Sequence, residues 1–143
     1  MKVNDLLARK GREVATISQE RNVSDGLRLL RERGIGALVV TGATAPLTGI
    51  FSERDAVRAL AVHGAEALSM SVADLMSRDV TTCSESTTID SLMSLMTDQH
   101  IRHLPVVEEG ALTGMVSIGD VVKWRVDELE HEKRELIEYV TAR

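Results

Sequence analysis

Aromatic side chains are nearly missing from this chain: Phe51, Trp124 and Tyr139 are the only ones in 143 residues. A platform that stacks single-stranded nucleic acid needs several aromatic faces, so that function is excluded. A basic balance is missing too. The formal net charge is −5, which removes the usual electrostatic basis for gripping duplex phosphates, and no nucleic-acid partner is expected. Cys83 is the single cysteine, so no intrachain disulfide can form and a reducing compartment fits. No segment approaches the roughly 20 apolar residues that a bilayer-crossing helix needs. Lys2 is followed by no apolar run, so no signal peptide is expected. There is no G-x-G-x-x-G and no P-loop, which leaves redox and phosphoryl-transfer catalysis without visible machinery. The remaining class is a cytoplasmic α/β protein with no membrane partner and no catalytic cofactor.

What is present is aliphatic and repetitive. Val3 to Arg9 reads as a short helix, with Asn4 as cap and Gly11 as stop. Val14 to Ser18 reads as a strand. Val23, Leu27, Leu29 and Leu30 lie at helical spacing until Gly34. Ala37 to Val40 and Leu47 to Ser52 form a hairpin across the turn at Gly42 to Pro46. Ser52 opens a helix that ends near Gly64, and residues 65–71 connect onward. Val72-Ala73-Asp74-Leu75-Met76 then echoes Val3-Asn4-Asp5-Leu6-Leu7, and the order restarts. Val80 to Ser84 is a strand, Ile89 to Gln99 a helix, Ile101 to Val107 a strand, Ala111 to Ser117 its return, and the last helix begins at Ser117.

Val14 and Val80, like Ile35 and Ile101, lie 66 residues apart, whereas Gly49 and Gly114, like Asp55 and Asp120, lie 65 apart. The first hairpin loop is one residue longer. An internal repeat governs the whole fold. The expectation is an α/β (α+β) chain of two β-α-β-β-α units packed as a pseudo-twofold pair. The first unit spans 1–66, the second 67–125, and a C-terminal helix extension 126–143.

Each unit carries glycine, a short apolar strand, then Ser-x-x-Asp opening a helix: Gly49-Ile50-Phe51-Ser52-Glu53-Arg54-Asp55 and Gly114-Met115-Val116-Ser117-Ile118-Gly119-Asp120. One reading is helix capping, with the acidic residue at the third helical position. The other is a ligand site, because unpaired helix amides attract phosphate and a carboxylate accepts the paired hydroxyls of a ribose. Arg102-His103-Leu104-Pro105-Val106 adds cations near a strand start, and Arg54 adds a third. Adjacent strand side chains point to opposite faces, yet at a strand end both can converge on one phosphate. The first unit has the uncharged pair Gly36-Ala37 at the equivalent place, so phosphate contacts are expected to concentrate in one of two unequal sites.

The doubled Gly-hydrophobic-x-Ser-x-x-Asp, with Ile-Arg-His-Leu-Pro-Val-Val, resembles a tandem pair of CBS domains over Val3 to Trp124, particularly stand-alone bacterial CBS-pair proteins. That resemblance implies a disc-like Bateman module with two clefts between the halves. It also implies a regulatory role, with AMP, ADP, ATP, S-adenosylmethionine or NAD(H) as ligand. Carried over residue by residue, the first site would use Asp55 and Arg54 with Thr82, Cys83, Arg102 and His103. The second would use Asp120 and Ser117 with Thr16, Ile17, Gly36 and Ala37. Ile50 and Met115 would flank the base. If one cleft alone fills, that of Asp55 is the expected one.

Cys83, His100 and His103 lack any standard zinc spacing, and no residue is placed to orient a Cys-His pair. No metal site and no catalytic residue are expected, and Cys83 is expected to pack as a small apolar side chain. In the last helix Val122, Val126, Leu129, Lys133, Leu136 and Val140 alternate in steps of four and three. Such a stripe either lies on its own domain or forms a seam to a partner. CBS pairs form such dimers, so the resemblance favours a homodimer that signals to an unidentified effector protein.

Overall fold

The computed structural model describes residues 1–142 and contains six α-helices and two small sheets among them. The elements are α1 (Val3–Lys10), β1 (Thr16–Ser18), α2 (Val23–Arg33), β2 (Ala37–Thr41), β3 (Gly49–Ser52) and α3 (Glu53–His63). They continue with α4 (Val72–Leu75), α5 (Ile89–Gln99), β4 (His103–Glu108), β5 (Ala111–Ser117) and α6 (Ile118–Thr141). A 3-10 turn over Gly64–Ser69 joins α3 to α4 where the sequence suggested only a connection. The two β-α-β-β-α units form the expected pseudo-twofold pair, with α6 running past the second.

Local chemistry explains most boundaries. Asn22, Ser52, Ser71, Thr88 and Ser117 each cap a helix by accepting the N–H of the third helical residue, which satisfies one orphan amide. At α1 the expected cap is replaced. The Lys2 N–H donates to the Asp5 carboxylate (2.9 Å), while the Asn4 side chain accepts from Arg12 (2.6 Å). Gly34 closes α2 in the left-handed region, and His100 closes α5 in the same conformation.

β1 pairs parallel to β2, and β2 pairs antiparallel to β3. In the second unit the strand expected at Val80 to Ser84 shrinks to one bridge, Cys83 to Val106. On one side the Glu85 N–H, whose counterpart at Gln19 donates to the Thr41 carbonyl, goes to the Glu108 carboxylate instead (3.1 Å); on the other the cause is Pro105. In the first unit the Val39 N–H donates to the Ala15 carbonyl (3.1 Å); Pro105 holds the corresponding place and has no N–H to donate.

The two cores do not follow the sequence repeat. Val3, Leu6 and Leu7 of α1 pack with Ile89, Leu92, Leu104, Val116 and Trp124 of the second unit. Val72 and Met76, at and just after α4, pack with Val23, Leu38, Val40 and Phe51 of the first. Each unit is completed by the short helix that precedes the other. The motif glycines accommodate this exchange. A Cβ on Gly114 would stand 2.8 Å from Leu7, and one on Gly49 would stand 2.6 Å from the Met76 sulfur and 2.8 Å from the Ser77 carbonyl.

Candidate functional site

Two clefts lie where the units meet. The first, of about 360 Å³, is lined by Ile50, Ser52, Arg54, Asp55 and Arg58 on one side and by Ser77, Asp79, Val80 and Thr81 on another. Gln99, His100, Ile101, Arg102 and His103 complete it. The second, of about 540 Å³, is lined by Lys10, Glu13, Val14 and Ala15, by Arg33 to Ala37, and by His103, Met115, Ser117 and Asp120. Both volumes fall in the range of small-molecule sites.

Both aspartates close capping boxes. Asp55 accepts from the Ser52 N–H (2.9 Å) and returns its own N–H to the Ser52 hydroxyl (3.3 Å). Asp120 does the same with Ser117, at 2.9 and 3.2 Å. Capping therefore accounts for both motif pairs, and both pairs also border a cleft. The two carboxylates differ in their remaining contacts. Asp55 is 8 % exposed and uses both oxygens, Oδ2 on Ser52 and Oδ1 on the Ser77 hydroxyl (2.9 Å). Asp120 receives the Lys10 ammonium on Oδ2 (2.6 Å), and the same ammonium donates to the Met115 carbonyl (2.7 Å).

Burial alone would push the Asp120 carboxyl up, but the Lys10 ammonium and the Ser117 donors outweigh it and hold it below the ordinary carboxylate range. His103 borders both clefts. Burial, reinforced by Arg102 and Lys10 and opposed by Glu53 and Asp120, pushes its imidazole below the usual value.

Of the residues expected in the first site, Ile50, Arg54, Asp55, Arg102 and His103 line the cleft. Thr82 and Cys83 do not. Thr82 is exposed, and Cys83 is buried in the second core, where burial pushes its thiol up to about 11. In the second site Gly36, Ala37, Met115, Ser117 and Asp120 line the cleft, but Thr16 and Ile17 do not. The error is the same in both units and has one cause. β1 is parallel to β2 with Thr16 opposite Val39, so the residues level with Gly36 and Ala37 are Glu13 and Val14. Thr16 and Ile17 sit roughly 7–10 Å farther along the strand. Val14-Ala15 and Val80-Thr81 take their places.

The expected charge contrast between the clefts also changes. Lys10 and Arg33 enter the second cleft from α1 and α2, elements that a comparison of the central strands leaves out. Arg58 joins Arg54 in the first cleft at helical i,i+4 spacing, a signal the sequence did contain. Lys10, Arg33 and Gln99 had no local signal.

Comparison with known proteins sharpens this picture. The CBS domain profile matches residues 3–62 and again 72–127. The chain belongs to the CBS domain family. A mitochondrial CBS domain-containing protein of Arabidopsis thaliana, CBSX3, is 34% identical over 96% of this chain and 71% of its own length. The crystal structure of the CBS-domain protein ATU1752 from Agrobacterium tumefaciens is 46% identical, with a TM-score of 0.85 over 87% of this chain and 92% of that one. The CBS domain pair of the protein MJ0100, 22% identical, shares the fold with a TM-score of 0.79 over 90% and 98% of the two chains. It was solved with 5′-methylthioadenosine and S-adenosyl-L-methionine. In this CBS pair each cleft draws on both motifs. No helix among the described residues is long and apolar enough to cross a membrane.

Proposed function

We propose that this CBS pair is a non-catalytic, cytoplasmic regulatory module, composed of motifs 1–66 and 67–125 with the 126–143 extension. It binds adenosine-containing nucleotides in its two clefts and couples occupancy to the packing of its halves. The observation that carries this reading is the convergence of Arg54, Arg58 and Arg102 on one cleft that also holds a capped helix N-terminus and Asp55. Guanidinium groups bind phosphate through charge-assisted forks, the helix end favours an anion, and a carboxylate reads a ribose diol. Ile50 and Val80 offer aliphatic surface to a base. AMP, ADP, ATP and NAD carry all three parts. The adenosine compounds bound by the MJ0100 pair support the class.

Calorimetry with AMP and NAD tests it, using the parent protein, Arg102→Ala and Arg58→Ala. Each guanidinium removed should weaken binding about tenfold or more, since a hydrogen bond to a charged group contributes about 1.5–3 kcal/mol. If both variants bind like the parent, the first-cleft assignment is wrong. If no adenosine compound raises the melting temperature of the parent, the sensing role has no physical basis.

A second reading has its own observation. Both oxygens of Asp55 are already taken by Ser52 and Ser77, as they would be in a structural pair whose pockets are vestigial. The same thermal-shift screen separates the two. In either case we infer a homodimer joined along α6, because its stripe beyond Trp124 is not covered by the chain's own domain: Val126 is 48 % and Leu136 63 % exposed.

A further inference from the structure

Lys10 holds a place in the second cleft that nothing holds in the first. It is the last residue of α1, whose Leu6 and Leu7 are locked into the second core, and Gly11 follows at φ +101°. Its backbone is therefore fixed relative to Asp120 while its four-carbon stem can swing. The ammonium spends one N–H on Asp120 Oδ2 and another on the Met115 carbonyl. In the first cleft the matching helix α4 stops at Leu75 and puts no residue where Lys10 stands; Asp79, beyond that helix, lines the cleft, and Asp55 receives the neutral Ser77 hydroxyl.

We propose that Lys10 is an internal occupant of the diol-reading position in the second cleft, and that it makes this cleft select adenosine compounds with an anionic 5′ substituent. This rests on the reading of the clefts as adenosine sites. A ribose diol that grips both carboxylate oxygens finds Asp120 Oδ2 already accepting from the Ser117 N–H and the ammonium, so the ammonium has to yield its place there. A neutral nucleoside offers the displaced ammonium no new anion. Glu13, the other carboxylate lining the cleft, is nearly fully exposed and loosely paired with Arg33 (3.5 Å), which makes it a weak, solvent-screened acceptor. A 5′-phosphate gives the ammonium a charged acceptor, with Arg33 on the same wall of the cleft, and so restores the ion pair that the diol broke. The first cleft, with no cation on Asp55, sets no such condition on the diol.

Nitrogen-15 amide spectra of the full chain read the clefts separately: Ser117 to Asp120 report the second, Ser52 to Asp55 the first. AMP and adenosine are titrated into the parent, Lys10→Met and Lys10→Arg. In the parent, AMP should outbind adenosine at the second cleft by about tenfold or more. Lys10→Met should tighten adenosine, weaken AMP and reduce that preference by about tenfold, with the first-cleft preference unchanged, and Lys10→Arg should restore it. Without ligand, Lys10→Met should raise the carbon-13 titration midpoint of the Asp120 carboxyl. A preference within about twofold of the parent's, while both ligands still shift Ser117 to Asp120, overturns the role of Lys10 alone. An unmoved Asp120 midpoint overturns the internal pairing. If neither ligand shifts those amides in any variant, the second cleft is not an adenosine site and the inference falls with it.

Discussion

His103 borders both clefts, and its imidazole is pushed below the ordinary histidine value. Burial and the nearby Arg102 and Lys10 disfavour its charged form more than Glu53 and Asp120 favour it. The unfolded chain takes up this proton near pH 6.5, about the ordinary histidine value. The folded chain resists until a lower pH. Between those two values the unfolded state holds more protons, so stability falls as pH drops from 6.5 toward the lowered folded value and then levels. His103→Gln should flatten that fall in urea denaturation series run from neutral pH downward. An undiminished slope would show that another group titrates. Asp120 acts with the same sign in a more acid window. Its lowered carboxyl value gives stability that is present above the ordinary carboxylate range and is lost as pH falls through the folded value.

At the level of elements, the exchange of α1 and α4 is the feature that holds the pair together. Gly114 of β5 is where Leu7 of α1 docks, and Leu7 is fully buried. Gly114→Ala should cost about 1–3 kcal/mol by overpacking. Leu7→Ala should cost about 2–5 kcal/mol by opening a cavity. The double variant should cost clearly less than the two together, because the new methyl enters the space that Leu7 vacates. Urea denaturation of the three variants checks this. Strict additivity would mean that the strand and the helix are not coupled at this contact. The same exchange places both clefts against segments that belong to one unit in sequence and to the other core in space.

For the whole molecule, α6 sets the outer dimension. It is 24 residues long, about 36 Å at the usual rise, but only Val121 and Trp124 along it are buried. Leu129, Leu136 and Val140 stand at least half exposed on a stripe with near-heptad spacing, which fits a two-helix seam between copies. Leu129→Asp with Leu136→Asp should shift sedimentation toward the monomer without changing the thermal-shift response to AMP. A double variant that sediments like the parent would remove α6 from the dimer interface.

The sequence by itself determined the repeat, the family, nearly every helix and the capping boxes, because these depend on residues a few positions apart. Ser52 with Asp55 and Ser117 with Asp120 are such local pairs. It also placed Ile50, Arg54, Asp55, Arg102 and His103 around one cleft through the likeness of the motifs. Only the tertiary structure decided which early-strand residues face the clefts, since the parallel register of β1 on β2 sets that level. It decided that Pro105 and the Glu85–Glu108 contact reduce a strand to a single bridge, because a donor is missed only once its acceptor's position is known. And it decided the company Asp120 keeps. Lys10 lies 110 residues away in sequence and reaches Asp120 because Leu6 and Leu7 bury α1 in the opposite half, where no periodicity in the chain points.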